Sequence, residues 1–196
     1  MTDAAVLLEG GLVIDGSGGP SWPGDVLIVG DRIERLGAGL RDRLPPELSL
    51  DDVQVIDCRD HAIAPGFIDA HTHDDAIVLR EPAYLAKLSQ GITTVVTGNC
   101  GISLAPFRTE QAKPPLTLLG AGSFRYPTMA AYRNAVTAAQ PALNVAALVG
   151  HTTLRFAAMA DLTRAASADE RSQMAALLDA CMTEGAHGLS SGLFYE

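Results

Sequence analysis

The sequence contains little cysteine, few positive charges and no long apolar run. Its three cysteines, Cys58, Cys100 and Cys181, are too few and too far apart for a disulfide framework, which favours a reducing compartment. Lys and Arg number 14 against 23 Asp and Glu, so the net charge of −9 argues against nucleic acid or an anionic membrane as a partner. No apolar run approaches the ~20 residues that cross a bilayer, and the N-terminal residues lack the features of a secretion signal. We therefore expect a cytoplasmic protein.

Apolar residues nevertheless make up 47% of the chain, which is enough for a packed core. In its first part, short apolar runs alternate with turn signals: AVLLEG, GLVIDG, DVLIVG, RIERLG and VQVIDC. This pattern predicts strands and hairpins, with one turn at Gly30-Asp31. Residues 37–52 are predicted to form a polar loop that contains proline. We assign residues 1–62 to an N-terminal β-rich domain.

From Ile63 onwards the pattern changes to strands separated by helices. The runs AIAPGFIDAHTHDD, ITTVVTGNCG, NVAALVGHTT and HGLSSGL predict strands. Helices are predicted at residues 82–90, 128–140 and 167–185, the last beginning with a capping box of Ser167 and Glu170. This alternation predicts an α/β fold over residues 63–196, with a parallel sheet that is either open and doubly wound or closed into a (β/α) barrel.

Two histidines follow the first of these strands. His71 and His73 are two apart in a strand-like run over residues 63–75, so both side chains would point to the same side and could bind one ion. The apolar stretch GFID leads into the pair, which places it where a parallel strand ends and ligand sites form. The alternative is a pair of surface histidines in a loop.

A cysteine occupies the corresponding place after the next strand. Cys100 follows TTVVTGN and precedes a glycine, and its thiolate would be a good soft metal ligand. The alternative for a lone cysteine is a small buried apolar residue, and Cys58 and Cys181 have only that interpretation. We therefore predict a metal site formed by His71, His73 and Cys100.

Three further residues are candidates for binding substrate. His151 ends the third strand-like run and Arg155 follows one turn later, so either could bind a substrate oxygen or carboxylate. Tyr195 follows the fourth run and could donate its hydroxyl to a carbonyl oxygen. For His151 and Tyr195, a purely structural role is an equal alternative.

Taken together, these motifs resemble the amidohydrolase superfamily and, within it, the N-acyl-D-amino-acid deacylases, also called D-aminoacylases. The matching stretches are APGFIDAHTHDD, GITTVVTGNCGIS, ALVGHTTLR and GLSSGLFYE. The motif PGFID-x-H-x-H indicates only the superfamily, whereas GNCG after TTVVT is typical of the deacylase branch.

The resemblance implies a (β/α)8 barrel, with about its first four βα units present here, preceded by strands of a small β-sandwich. It implies one or two divalent ions such as zinc, with Cys100 in place of the carboxylated lysine that bridges two metals in most of the superfamily. The substrate would be a small molecule, an N-acyl-D-amino acid, whose amide bond is hydrolysed.

The family also uses two later histidines and a late aspartate, which acts as metal ligand and proton shuttle. We expect this chain to be the front part of such an enzyme and inactive by itself. Two alternatives remain open: a cyclic-amide hydrolase of the same superfamily, against which Cys100 argues, and a non-catalytic metal-binding or interaction fragment.

Overall fold

The computed structural model describes residues 4–120 and 122–194, and the chain forms two compact units, Met1–Pro65 and Gly66–Glu196. The division that we expect from the sequence, with a domain boundary between residues 62 and 63, stays a prediction. Among the described residues, no helix is long and apolar enough to cross a membrane.

The first unit is built around one five-stranded sheet. Its strands are β1 (Ala5–Val13), β2 (Trp22–Val29), β3 (Arg32–Gly37), β4 (Val53–Asp57) and β5 (Ala62–Ile63). The order is β3-β2-β1-β4, with β5 also paired to β1. The predicted hairpin at Gly30-Asp31 is present because β2 and β3 pair antiparallel on either side of it. In contrast, β4 and β5 run parallel to β1, so this sheet is mixed rather than a series of hairpins.

The runs AVLLEG and GLVIDG, expected as separate strands, form the single strand β1. Its register with β2 shifts between Leu8 and Gly11, and Gly10 has a left-handed backbone with φ 75°. The buried carboxylate of Asp25 accepts the backbone N–H of Gly10 at 2.7 Å and that of Leu40 at 2.9 Å. The glycine pair that the sequence indicates as a turn is therefore a β-bulge within one strand. Leu40 opens a short 3₁₀ helix, Leu40–Arg43, within the segment predicted to be loop.

The second unit contains a sheet of four parallel strands. These are β6 (Phe67–Asp69), β7 (Ile92–Thr97), β10 (Asn144–Gly150) and β11 (Gly188–Ser190), and neighbours in sequence are neighbours in the sheet. The parallel sheet expected from the sequence is therefore observed. All four strands end at the same edge, which is where ligand sites form in α/β folds.

Among the described residues of this unit, five α-helices accompany the sheet: α1 (Ile77–Arg80), α2 (Leu85–Leu88), α3 (Met129–Ala139), α4 (His151–Ala158) and α5 (Ala168–Thr183). The expected helices at residues 128–140 and 167–185 correspond to α3 and α5. The helix expected at residues 82–90 is reduced to α2, because the left-handed backbone of Tyr84, with φ 31°, interrupts a helix before Leu85. The short helices α1 and α4 were not predicted.

The capping box that begins α5 is present. Ser167 Oγ accepts the backbone N–H of Glu170 at 3.2 Å, and Glu170 Oε2 accepts that of Ser167 at 2.8 Å. Arg164 also donates to both carboxylate oxygens of Glu170. These contacts, first of all the one with Arg164, lower the pKa of Glu170 to about 2.

A long connection after β7 packs against helices of the second unit. It contains β8 (Phe107–Arg108) and β9 (Arg125–Tyr126), which pair antiparallel, and the 3₁₀ helix Leu116–Leu119. Its apolar side chains join the largest core of the second unit, whose fully buried members include Ile102, Leu104, Leu116, Phe124, Met129 and Val149. This core fixes the strand ends from which the site is built.

Candidate metal centre

The histidine pair lies just beyond the end of β6. The strand ends at Asp69, so His71 and His73 are in the following loop and not in a strand over residues 63–75 as the sequence suggested. Asp69 Oδ1 accepts the backbone N–H of His71 at 3.2 Å, which anchors the start of this loop. The shared direction of the two imidazoles therefore comes from loop contacts rather than from strand alternation.

Cys100 lies in a tight turn after β7, residues 98–101, here called the cysteine turn. Gly98, Cys100 and Gly101 all have left-handed backbones, with φ of 78°, 54° and 76°. At Gly98 a Cβ would lie 2.2 Å from the carbonyl oxygen of Leu148, so glycine is required there. Cys100 has no such freedom, and a left-handed non-glycine residue costs on the order of 1–3 kcal/mol, which is typical of functional sites.

Two polar side chains hold the cysteine turn in place. Asn99 Nδ2 donates to the carbonyl oxygens of Val96 at 2.7 Å and of Thr72 at 3.3 Å, which joins the turn to the residue between the two histidines. Ser190, at the end of β11, accepts the N–H of Gly101 at 3.0 Å and donates to the carbonyl oxygen of Gly98. The position of Cys100 is therefore fixed from both sides.

The structure brings His71, His73 and Cys100 together. Their candidate ligand atoms all lie within 4.8 Å of one another, and His71 Nε2 is 3.1 Å from Cys100 Sγ. Ligands of one tetrahedral zinc ion are about 3.3–3.7 Å apart, given Zn–N and Zn–S bonds of about 2.1 and 2.3 Å. Small side-chain rotations would bring these atoms to that spacing.

The chemistry of this set also fits a metal ion. His73 Nδ1 is buried and has no hydrogen-bond partner in the part of the chain that the structure describes. Burial lowers the pKa of His73, and the neighbouring His71 adds to this against the opposing effect of Asp74. A neutral imidazole is the form that binds a metal, and a thiolate beside two imidazoles is a common zinc donor set.

A partly buried charge cluster borders the histidine loop. Lys87 on α2 forms ion pairs with Asp69 and, at 3.0 Å, with Asp74, whose other carboxylate oxygen accepts the hydroxyl of Tyr84 at 3.0 Å. Burial alone would lower the pKa of Lys87, but the two carboxylates outweigh it and raise that pKa. The pKa of Asp69 is lowered, chiefly by Lys87. Sequence reasoning missed this cluster, because Lys87 is an ordinary residue within a predicted helix.

The carboxyl of Asp75 lies deeper in the same region. Its side chain is almost completely buried, and burial raises its pKa to about 7 against the opposing backbone hydrogen bonds of Gly98 and Leu104. Tyr132 donates its hydroxyl to the Asp75 carbonyl oxygen at 2.9 Å. Asp75 thus connects the histidine loop with both ends of the segment that carries Cys100.

The three candidate substrate-binding residues are placed differently. His151 is partly buried and begins α4 directly after β10, at the same sheet edge as the three candidate metal ligands. Arg155 donates to the carbonyl oxygens of Leu162 at 2.8 Å and of Arg164 at 3.2 Å, so the loop after α4 holds its guanidinium. Tyr195 lies outside the described residues. Their substrate roles stay predictions.

The other two cysteines are buried among apolar side chains. Cys58 is in a core of the first unit and Cys181 in the largest core of the second. Burial raises the pKa of Cys181 to about 11, which disfavours a thiolate there.

Comparison with known proteins gives a consistent set of relatives. The model of the amidohydrolase family matches residues 54–196. The N-acyl-D-aspartate deacylase of Alcaligenes xylosoxydans xylosoxydans is 49% identical over 193 residues, which are 98% of this chain and 37% of that protein.

Solved structures of two relatives superpose on the whole chain. A crystal structure of D-aminoacylase, described as defining a novel subset of amidohydrolases, has a TM-score of 0.90 and 46% identity over 40% of its own length. Another structure of D-aminoacylase addresses its binuclear metal centre. The N-acyl-D-glutamate deacylase of Bordetella bronchiseptica, complexed with zinc and a phosphonate mimic of the tetrahedral intermediate, has a TM-score of 0.86 and 39% identity over 39% of its length. The chain thus spans about 40% of the length of the relatives that it matches.

Proposed function

Since the chain belongs to the amidohydrolase family, we propose that the longer enzyme of which it is the front part hydrolyses the amide bond of N-acyl-D-amino acids with the help of a bound metal ion. The observation that carries this proposal is the meeting of His71, His73 and Cys100 within 4.8 Å at the ends of parallel strands. The names of the relatives supply the substrate class: N-acyl-D-aspartate and N-acyl-D-glutamate deacylases and D-aminoacylase.

We assign His71, His73 and Cys100 as ligands of one or two divalent ions, with zinc favoured because the relative from Bordetella bronchiseptica contains it. When bound, such an ion supplies Lewis-acid activation of water and of the scissile carbonyl. Hydrogen bonds hold the candidate ligands in place. Asn99 and Ser190 fix the turn that carries the thiolate, and Asp69 fixes the backbone of His71. The partial exposure of the three ligands leaves room for a substrate to approach.

His151 is the best-placed candidate for contact with the substrate, because it lies at the same sheet edge as the ligands. Tyr195 is proposed to donate to the developing oxyanion, as the sequence motif suggests. Arg155 would have to leave its carbonyl partners to bind a substrate carboxylate, which makes it the weakest of the three.

The fold supports a more specific proposal about architecture. We infer that β6, β7, β10 and β11 are the first four strands of a (β/α)8 barrel, with the metal at its C-terminal face. We also infer that residues 1–62 belong to a small β-sandwich. The TM-scores of 0.86–0.90 with the relatives support both inferences.

The test is hydrolysis by the full-length, zinc-loaded enzyme that contains this chain, here called the intact protein. The substrates are the N-acetyl derivatives of D-aspartate, D-glutamate and D-methionine, each against its L form. We expect hydrolysis of D forms and clear discrimination against L forms. Dihydroorotate and hydantoin are included because a cyclic-amide hydrolase is the competing enzyme class. Preference for an L form or for a cyclic amide would contradict the proposal, and inactivity toward all substrates would favour a non-catalytic role.

The role of the thiolate is tested by Cys100→Ala in the same intact protein. Loss of a ligand should lower zinc affinity at least tenfold and turnover with it, since even changes beyond the ligands typically cost 10–100-fold. The matched control is Cys58→Ala, which removes a cysteine from an apolar core of the first unit. Equal zinc content and turnover in both variants would assign Cys100 to packing alone.

A further inference from the structure

Lys87 bridges the two aspartates that border the histidine loop, and we propose that it is a positioning residue that holds His71 and His73 in the geometry that binds metal. The inference rests on the proposed metal site and adds a residue to it that no sequence motif marks.

The bridge closes a short segment of chain. Asp69 is the last residue of β6, and Asp74 directly follows His73, so the two aspartates flank the histidine pair. Lys87 reaches both from α2: its Nζ lies 3.0 Å from Asp74 Oδ2 and contacts Asp69 Oδ2. One ammonium group therefore fixes the separation of the two ends of the loop.

Charge makes this bridge necessary. The side chains of Lys87, Asp69 and Asp74 are only 18%, 25% and 10% exposed, so water screens the two carboxylates poorly from each other. Within the described ranges, no other cation forms an ion pair with either aspartate. Without the ammonium group, the carboxylates would repel each other and draw in water, and the loop between them would widen.

The effect reaches the ligands through the backbone. Asp69 Oδ2 binds Lys87 while its Oδ1 accepts the N–H of His71, so fixing the carboxylate also fixes the start of the loop. Asp74 is similarly restrained on both oxygens, by Lys87 and by the hydroxyl of Tyr84. Lys87 acts through these groups rather than on the metal itself.

The experiment titrates the metal-free intact protein with Co²⁺ and follows the thiolate-to-cobalt absorption band, which reports ligation by Cys100 without any need for turnover. The variants are Lys87→Met, which keeps the apolar stem but not the charge, and Lys87→Arg, which keeps the charge. Lys113→Met is the matched control, because Lys113 is exposed and lies in the connection after β7.

We expect the wild type and Lys113→Met to bind cobalt equally. Lys87→Met should bind at least tenfold more weakly, with an altered absorption band. Lys87→Arg should recover most of the affinity. Circular dichroism and thermal unfolding check that each variant is folded, and if Lys87→Met is not, Lys87→Gln replaces it with the same expected loss.

Two results would count against the inference and are distinguishable. A normal band in the wild type together with unchanged affinity and spectrum in the folded, charge-deleted variant would overturn the role of Lys87 alone. A wild type without any thiolate band would overturn the proposed metal site and this inference together.

Discussion

Replacing Gly150 with alanine is expected to displace the cysteine turn and weaken metal binding. Gly150 ends β10 and packs directly against that turn. An added Cβ would lie 2.4 Å from both the carbonyl carbon and the oxygen of Gly101, and 2.5 Å from the backbone nitrogen of Ile102. These atoms are all backbone, so no side-chain rotation can relieve the overlap.

The required movement follows from these distances. An ordinary Cβ contact begins near 3.4 Å, so the backbone of Gly101 must retreat by 3.4 − 2.4 = 1.0 Å. Metal–ligand distances in a working site hold to about 0.2 Å, so a shift of this size in the residue after Cys100 exceeds the tolerance. We expect zinc affinity to fall at least tenfold, and overpacking to lower the free energy of unfolding by about 1–3 kcal/mol.

Zinc affinity is measured by competition with a chromophoric chelator, and stability by thermal unfolding of the intact protein. Gly122→Ala is the control, because a Cβ at Gly122 would meet nothing within 4 Å. If Gly150→Ala matched the control in both measurements, the cysteine turn would not be positioned by its packing on β10, and our account of the site would be wrong.

Two further predictions concern single polar side chains. Ser190→Ala removes the two hydrogen bonds that the Ser190 side chain makes to the cysteine turn. It should therefore lower the free energy of unfolding by about 1–2 kcal/mol and weaken zinc binding. The control Ser191→Ala, at the next residue, should change neither. Glu170 has a pKa lowered to about 2, so it stabilises the folded state above its unfolded pKa of 4.5, and this stability is lost as pH falls from 4.5 towards 2. Glu170→Gln should therefore flatten the decline of melting temperature over that range, while Asp169→Asn, in the same helical turn, should leave it as in the wild type.

Much of the second unit could be predicted because its signals are local. The capping box at Ser167 marks the start of α5 in the sequence alone, since the bonds that form it span three residues. The strand-like runs and the helices between them likewise predict a parallel sheet. The short helices α1 and α4 were not predicted, because an apolar periodicity over only four to eight residues cannot be distinguished from a loop.

The pairing of strands in the first unit was not predictable in the same way. The sequence of β1 contains a glycine pair that is typical of a turn, and only pairing with β2 on one side and with β4 and β5 on the other makes it one bulged strand. Long-range hydrogen bonds outweigh the local turn preference there, because a strand that is paired on both edges is stabilised more than a turn would be.

By itself, the sequence determined which residues could bind a metal and roughly where they stand. His71, His73 and Cys100 each follow an apolar strand, and parallel strands bring their ends to one edge whatever the details of the loops. Their identity and place could therefore be inferred from order and spacing.

Only the tertiary structure decided how these residues are held. Ser190 reaches the cysteine turn from about 90 residues away in the sequence, and Lys87 reaches Asp69 and Asp74 from a different element. Such contacts produce no periodic pattern in the sequence, because they join residues that lie far apart along the chain. The positions of the candidate ligands are therefore set by side chains such as Ser190 and Lys87, which no sequence motif marks and whose roles depend on the folded structure.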